Sequence, residues 1–280
     1  MDKVKLSELL DKTTYVVKAF ENEELYSVGS AFCFNKQGLL ITAGHVITGR
    51  MPIREEDYKN ENVRILARTK KGAFIEYKIV LCGITINWPN GPLKEPLQID
   101  LAILRPVQPL VNAPFLEIEE KQQEVGTEIL MAGFPDELEL PLQWDQSFDY
   151  EYYKGKQSLE ELKENMDRVR ELLIMMKSGM IGFSDGLIIK PDKNDEWQLQ
   201  TNVYYIDNVM HSGASGGPVI DENGKAIGVI SKRAVTSVSY PDLENPKKEV
   251  PSGSALAISP YTIIDFLNHQ IQNQQTKAAT

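Results

Sequence analysis

Residues 211–231 read HSGASGGPVIDENGKAIGVIS, and this stretch decides the fold. It places the hydroxyl of Ser215 in a run of residues that have almost no side chains. Two apolar segments follow Pro218, and the Asn223-Gly224 pair between them favours a tight primed turn, the kind that joins the strands of a β-hairpin. The glycine-rich loop therefore leads into a strand rather than into a helix.

Most of the chain has the same texture as this hairpin. From Thr14 to Val107, and again from Thr127 onward, the apolar segments are short, rich in β-branched residues and separated by turn signals. Apart from one insertion, no predicted helix is long enough to connect parallel strands. The sheets should therefore be antiparallel and closed as barrels or sandwiches, and the predicted fold class is all-β.

The composition excludes several classes of function. The 280-residue chain is 42% hydrophobic and 25% charged, and it contains no apolar run near the roughly 18 residues that a membrane span needs. A formal net charge of −10 argues against a nucleic-acid surface, because phosphate binding depends on clustered Lys and Arg. Residues 1–17 lack the features of a secretory signal, so we expect a cytoplasmic protein. Its two cysteines, Cys33 and Cys82, are interpreted as free, buried thiols.

Three residues have the chemistry that a nucleophilic serine requires. A serine hydroxyl is a poor nucleophile at neutral pH, so it needs a base to take its proton and an acidic group to orient that base. Of the three histidines, His45 ends an apolar strand, whereas His211 lies too close to Ser215 in an extended loop. His269 lies in a polar tail. Asp100 opens the apolar strand DLAIL and is the candidate for the orienting acid.

The motifs that contain these residues resemble those of a known family. TAGHVI, DLAIL and GASGGPV, in this order, are similar to the three catalytic motifs of the chymotrypsin-like serine peptidases, and most of all to the bacterial HtrA-like branch, here without a PDZ domain. The resemblance covers most of the chain from Val28 to Leu267. It implies two six-stranded antiparallel β-barrels with the active site in the seam between them. The predicted organisation is an N-terminal helix at 1–12, a first barrel at 13–114, a second barrel at 115–259 with a helical insertion at about 145–178, a C-terminal helix at 260–270 and a disordered tail at 271–280.

The resemblance also implies a role for each catalytic residue. His45 would act as general base and then as general acid, Asp100 would orient its imidazole, and Ser215 would form the acyl-enzyme. The backbone amides of Gly213 and Ser215 would bind the oxyanion. No metal and no cofactor is implied. The expected function is that of a regulated, cytoplasmic serine endopeptidase whose partner is a protein or peptide substrate.

The implied substrate-binding residues follow from the same motifs. Ser231 would neighbour Asp100, and the backbone from Ser231 to Arg233 would pair with an extended substrate. Val209 would lie at the base of the primary pocket, which suggests a small or medium apolar side chain, whereas the basic residues could favour an acidic one. The predicted set is Val209, Met210, His211, Ser231, Lys232 and Arg233.

One departure from the family bears on activation. The digestive members have an aspartate before the nucleophile that receives a new amino terminus after zymogen cleavage, and this chain has Ala214. Activation by that route is therefore not available. Something other than a freed amino terminus must hold the loop around Ser215.

Three alternatives remain open on the sequence. GASGG also fits the nucleophile elbow of α/β-hydrolases, but that motif needs a helix after the serine and a histidine downstream. The chain could instead be a peptide-binding scaffold that retains the triad and turns over little.

Residues 158–177 place Leu and Met at helical spacing behind a capping box of Ser158 and Glu161. This amphipathic helix would either pack on the second barrel or dock a regulatory partner.

Overall fold

The structure, a computed structural model, describes residues 2–86, 96–135, 173–189, 198–239 and 247–279. These residues form two closed six-stranded antiparallel barrels, so the predicted all-β fold class is confirmed. The first barrel comprises β1 (Thr14–Glu21), β2 (Glu24–Cys33), β3 (Leu40–Thr42), β4 (Val63–Thr69), β5 (Ile75–Ile86) and β6 (Leu97–Pro106). The second comprises β7 (Glu128–Gly133), β8 (Met175–Ile189), β9 (Leu199–Ile206), β10 (Pro218–Ile220), β11 (Ala226–Ser239) and β12 (Lys247–Ile258).

The two barrels share one topology. Hydrogen-bonded neighbours follow the order β1-β2-β3-β6-β5-β4 in the first barrel and β7-β8-β9-β12-β11-β10 in the second. In each, the third strand therefore pairs with the sixth, and the fourth strand closes the ring on the first. Closure leaves no long exposed sheet edge, which suits a chain made of many short strands.

Strand β6 shows how the sequence builds both the barrels and the seam between them. Its side chains are buried almost without interruption from Ile99 to Leu104. Successive side chains of a strand point to opposite faces. Ile99, Leu101 and Ile103 therefore pack in a core shared by the two barrels, whereas Ala102 and Leu104 pack inside the first barrel. A half-buried strand would alternate with polar residues, and β6 does not because both of its faces are covered.

The shared core joins the two barrels and both ends of the chain. It contains Phe32 from the first barrel, Ile220 from the second, Leu6 and Leu10 near the amino terminus, and Ile263 near the carboxyl terminus. All five side chains are at most 4% exposed. A core this well buried resists relative movement of the barrels and fixes the geometry of the seam between them.

Four helices occur in the part of the chain that the structure describes. They are α1 (Lys3–Thr13), α2 (Gly44–Thr48), α3 (Glu55–Tyr58) and α4 (Tyr261–Ala279). Within the described ranges, none of them is both long and apolar enough to cross a membrane. The prediction that the last helix ends at residue 270 and leaves a disordered tail is wrong, because α4 continues to Ala279. No Gly or Pro stops it, and Gln, Lys and Ala are good helix formers.

The predicted insertion helix is only partly open to comparison. Residues 158–172 lie outside the described residues, but its last three residues, Met175–Lys177, belong to strand β8. There Met176 pairs with Ala132 and Lys177 pairs with Met131 of β7. A run of Leu, Ile and Met fits a helix stripe and a strand equally well, and here the pairing with β7 decides.

The β10–β11 hairpin is present, but its turn differs from the predicted primed type. That turn needs a positive φ at both central residues. Gly224 has a φ of 86°, and Asn223 has a negative one. The side chain of Asp221 accepts hydrogen bonds from the amides of Asn223 and Lys225 at 3.0 and 2.8 Å. This carboxylate cap stabilises a longer turn, and the primed geometry is therefore not adopted.

Candidate active site

His45 lies in the short helix α2 that follows strand β3. The helix begins after Ala43 and ends at Gly49, which has a left-handed φ of 70°. The amide of His45 donates to Asp100 Oδ1 at 2.8 Å, and its ring Nδ1 lies 2.7 Å from Asp100 Oδ2. A carboxylate only accepts hydrogen bonds, so Nδ1 carries the proton. Nε2 is then the ring nitrogen that can act as a base.

Asp100 is almost completely buried at the seam. Its residue is 6% exposed, and Oδ2 also accepts from Ser231 Oγ at 2.8 Å. Burial alone would raise the pKa of this carboxyl, but the hydrogen bonds from the His45 ring, the His45 amide and Ser231 outweigh it, and the pKa lies below the usual value. Asp100 therefore remains ionised beside the imidazole. It also connects His45 of the first barrel to Ser231 of the second.

Ser215 lies in the loop that leads into strand β10. Its hydroxyl donates to the carbonyl oxygen of Ser231 at 3.2 Å. Within the described residues, no hydrogen bond joins this hydroxyl to His45. Because the side chain has three staggered positions, a rotation of about 120° is the change that would redirect the hydroxyl. Catalytic hydrogen bonds are often long or misaligned in a free enzyme and shorten when substrate binds.

Two backbone amides in the segment from Gly213 to Gly217 make no hydrogen bond within the described part of the chain. The amides of Ala214, Gly216 and Gly217 donate to backbone carbonyls at 3.3, 2.6 and 2.9 Å. The other two amides of this segment, those of Gly213 and Ser215, donate to no acceptor among the described residues. The loop thus leaves unpaired the two donors that the sequence predicts for an oxyanion site.

A cleft with a volume of about 620 Å³ lies at the seam and contains the predicted residues together. His45, Asp100 and Ser215 all line it. Five of the six predicted substrate-binding residues line it as well, namely Met210, His211, Ser231, Lys232 and Arg233. In the described residues, no group of His, Cys, Asp and Glu side chains is arranged to hold a metal ion.

Val209 is the predicted residue that the cleft does not contain. Its amide donates to Asn208 Oδ1, and its carbonyl accepts from Lys177 Nζ at 2.8 Å. Val209 does not line this cleft, and its place at the base of the primary pocket stays a prediction. These contacts tie Val209 to β8, and the adjacent Met210 occupies the apolar wall instead.

Several residues that shape the cleft are not among the predicted substrate-binding residues. Apolar surface comes from Ile230, Ala255 and Ile258. Gln98 also lines the cleft. Its side-chain oxygen accepts from the backbone amide of Ile53 at 2.8 Å, and its side-chain nitrogen donates to the carbonyl of Ile53 at 2.7 Å. Strand alternation gave a usable signal for Gln98, since it lies two residues before Asp100. Ala255 and Ile258 belong to β12, and they reach the cleft because β12 pairs with β11. That pairing leaves no local pattern in the sequence.

The family model of the trypsin-like peptidase domain matches residues 29–229 of this chain. The chain belongs to the trypsin-like peptidase family. The match begins within strand β2 and ends within strand β11. It therefore includes all three trypsin-like peptidase motifs that the sequence analysis singles out.

Individual relatives of this trypsin-like peptidase are distant. Over 70 residues the chain is 30% identical to "Serine protease HtrA-like" of Staphylococcus aureus (strain bovine RF122 / ET3-1), a match that covers 25% of this chain and 9% of that protein. The fold of the present chain is similar to that of the inactive form of the Rv3671c protease, with a TM-score of 0.51 at 14% identity; the match covers 93% of this chain and 89% of that one. The active form from M. tuberculosis gives a TM-score of 0.51 at 14% identity, with 92% and 81% covered.

Proposed function

We propose that this trypsin-like peptidase is a serine endopeptidase that cleaves peptide bonds through Ser215, His45 and Asp100. One observation carries the proposal. Asp100 Oδ2 lies 2.7 Å from His45 Nδ1 and 2.8 Å from Ser231 Oγ, so one buried carboxylate orients the imidazole at the mouth of the cleft that Ser215 lines.

The proposed reaction proceeds through an acyl-enzyme. The Ser215 hydroxyl turns from the Ser231 carbonyl towards His45, attacks the substrate carbonyl carbon, and gives its proton to Nε2. The negative oxygen that forms accepts hydrogen bonds from the amides of Gly213 and Ser215. His45 then protonates the leaving amine as the C–N bond breaks. A water molecule attacks the ester in the same way, which releases the acid product and restores the serine.

The cleft favours a substrate with an apolar residue before the cleaved bond. Met210 and Ile230 are at most 3% exposed and form an apolar wall. Lys232 and Arg233 are exposed at the rim of the cleft. The carboxylate of Asp100 is hydrogen-bonded to His45 and does not neutralise them. Acidic side chains elsewhere in the substrate would therefore be attracted to the rim. A peptide-library cleavage profile tests this preference, and Lys232→Glu should remove its acidic component and leave the apolar one.

A fluorophosphonate probe tests the proposed nucleophile directly. It should label the purified protein at Ser215 and should not label Ser215→Ala. Ser212→Ala is a matched control, because Ser212 also lines the cleft and has the same hydroxyl. The alternative function is a peptide-binding scaffold that retains the triad. That alternative would be supported if the protein binds peptides without labelling and without releasing fragments.

Regulation and location are further parts of the proposal. The acidic chain with two free, buried cysteines suits a reducing compartment, so we propose a cytoplasmic peptidase. A regulatory partner would dock at residues 158–174, the part of the predicted insertion that precedes β8. The test deletes residues 145–172 only, because Met175–Lys177 are needed in β8. Unchanged cleavage and unchanged partner binding after this deletion would contradict regulation through the insertion, and recovery of the protein outside the cytoplasmic fraction would contradict the location.

A further inference from the structure

The loop around Ser215 is held by hydrogen bonds to its backbone carbonyls. The Gly213 carbonyl accepts from Ser30 Oγ at 2.8 Å, and the Ser215 carbonyl accepts from the Ser30 amide at 2.8 Å. Between them, the Ala214 carbonyl accepts from Gly217 at 2.9 Å. Three consecutive carbonyls are thus paired. Because the carbonyl and amide of one peptide group point in opposite directions, pairing the Ala214 carbonyl fixes the direction of the Ser215 amide.

Ser30 makes two of these three contacts from the other barrel. It lies in β2, is completely buried, and has its own carbonyl fixed by Thr42 Oγ1 at 2.7 Å. Its hydroxyl also accepts from the amide of Phe134 at 2.8 Å, directly after strand β7. The hydroxyl therefore donates its single proton to the Gly213 carbonyl, and the hydrogen bond that it accepts from the Phe134 amide fixes the direction of that donation.

Within the described residues, the Ser30 hydroxyl is the donor that reaches the Gly213 carbonyl, and the Ala214 amide of the same peptide group donates to the His211 carbonyl at a longer 3.3 Å. Gly213 has a φ of 81° and no Cβ, so its backbone moves between conformations more readily than that of another residue. Without the Ser30 hydroxyl, this peptide group would keep only the longer hydrogen bond and would turn more readily to find another donor. The Gly213 and Ser215 amides would then lose their common direction.

Ala214 explains why such a contact is needed. An acidic side chain at that position could anchor the loop through an ion pair, but the alanine is completely buried and contributes no polar atom. We infer that the Ser30 hydroxyl is a positioning residue that holds the oxyanion loop in its productive conformation. This inference rests on the proposed function. Ser30 touches no substrate atom and acts only through Gly213.

The test measures how fast a fluorophosphonate modifies Ser215 in Ser30→Ala and in the unchanged protein. The phosphoryl oxygen of the probe occupies the oxyanion site, so a misplaced loop should lower the limiting rate constant of inactivation. We expect a fall of ten- to one-hundred-fold. The concentration of probe that gives half the limiting rate should stay within two-fold, because the cleft that binds the probe is unchanged. A merely structural role would not separate these two constants.

Two further variants make the result decisive. Thr13→Ala removes another completely buried hydroxyl, one that donates to Leu9 at 2.8 Å far from the loop, and it should lower the melting temperature without slowing inactivation. Ser30→Cys keeps the volume but donates a weaker hydrogen bond, so it should fold and react at least five-fold more slowly. If Ser30→Ala does not fold, this variant decides.

The outcomes separate the inference from the function on which it rests. Inactivation of either Ser30 variant at the rate of the unchanged protein would overturn the role of Ser30 and leave the serine peptidase intact. Failure of the unchanged protein to react at all would contradict the proposed function itself. A slow Ser30→Ala reaction together with an equally slow Thr13→Ala reaction would overturn the inference as well, because loss of stability would then be sufficient.

Discussion

Replacing Asp100 by Asn changes one atom and should remove almost all activity. Three hydrogen bonds reach the carboxylate, from the His45 amide to Oδ1 and from His45 Nδ1 and Ser231 Oγ to Oδ2. An Asn side chain has one accepting oxygen and one donating NH₂ group, so it cannot accept all three. The backbone amide of His45 can only donate, which places the oxygen of Asn at the Oδ1 position.

The NH₂ group then takes the Oδ2 position and donates to His45 Nδ1. This forces the proton of the imidazole onto Nε2, and the ring can no longer accept the proton of Ser215. For this type of triad the wrong tautomer costs about 10⁴-fold in kcat. The hydroxyl of Ser231 can rotate to accept from the new NH₂ group. The loss of stability should therefore be limited to about 1–3 kcal/mol.

The assay compares peptide hydrolysis and probe inactivation for Asp100→Asn with those of Asp221→Asn. Asp221 is an equally buried carboxylate, 6% exposed, that accepts two backbone amides in the β10–β11 turn. Asp221→Asn should lose a similar amount of stability and keep full activity. If Asp100→Asn keeps more than a tenth of the activity, the assigned tautomer and the role of Asp100 are both refuted.

Three smaller perturbations test the supports around the site. Ser231→Ala removes one charge-assisted hydrogen bond from Asp100, so probe inactivation should slow by a factor between about 10 and about 150, since such a bond contributes about 1.5–3 kcal/mol. The pKa of Asp100 is lower in the folded protein than in the unfolded chain, so the stability that this carboxylate contributes is complete above the unfolded pKa and is lost as the pH falls through the folded pKa. When the free energy of unfolding is measured against pH, Asp100→Asn should therefore lose less stability below about pH 4 than the unchanged protein does. Gly133→Ala would place a Cβ 2.6 Å from Ala214 Cβ, and overpacking of this kind should lower the melting temperature by an amount equivalent to about 1–3 kcal/mol and slow inactivation.

The strand content could be read from the sequence because each short apolar segment ends at a turn signal. The closure of those strands into two barrels came from the resemblance and not from periodicity. Periodicity was misleading in residues 175–177, where apolar residues at helical spacing are strand residues paired with β7. The same limit applies to the turn at Asn223, since a side chain cap from Asp221 overrides the preference of the local pair. Local patterns do not report which neighbour a segment will meet.

The grouping of His45, Asp100 and Ser215 at one cleft was predictable because few residues in the chain could supply the chemistry of a triad. Only three histidines occur, and one of them ends a strand. The wall of the cleft was harder to predict, as Val209 shows. One residue of register separates a side chain that lines the cleft from one that does not, and here Met210 faces the cleft. Ser30 was not predicted because its partners lie more than 100 positions away in sequence.

Two independent sets of hydrogen bonds cross the seam between the barrels. Asp100 of the first barrel accepts from Ser231 of the second, and Ser30 of the first donates to Gly213 and Ser215 in the loop before β10 of the second. In the proposed mechanism, the first set orients the base, and the second holds the loop that carries the nucleophile. A small displacement of one barrel would therefore weaken both at once. Because packed interfaces shift between discrete arrangements rather than deform gradually, the docking of the barrels is the physical variable on which the proposed activity depends.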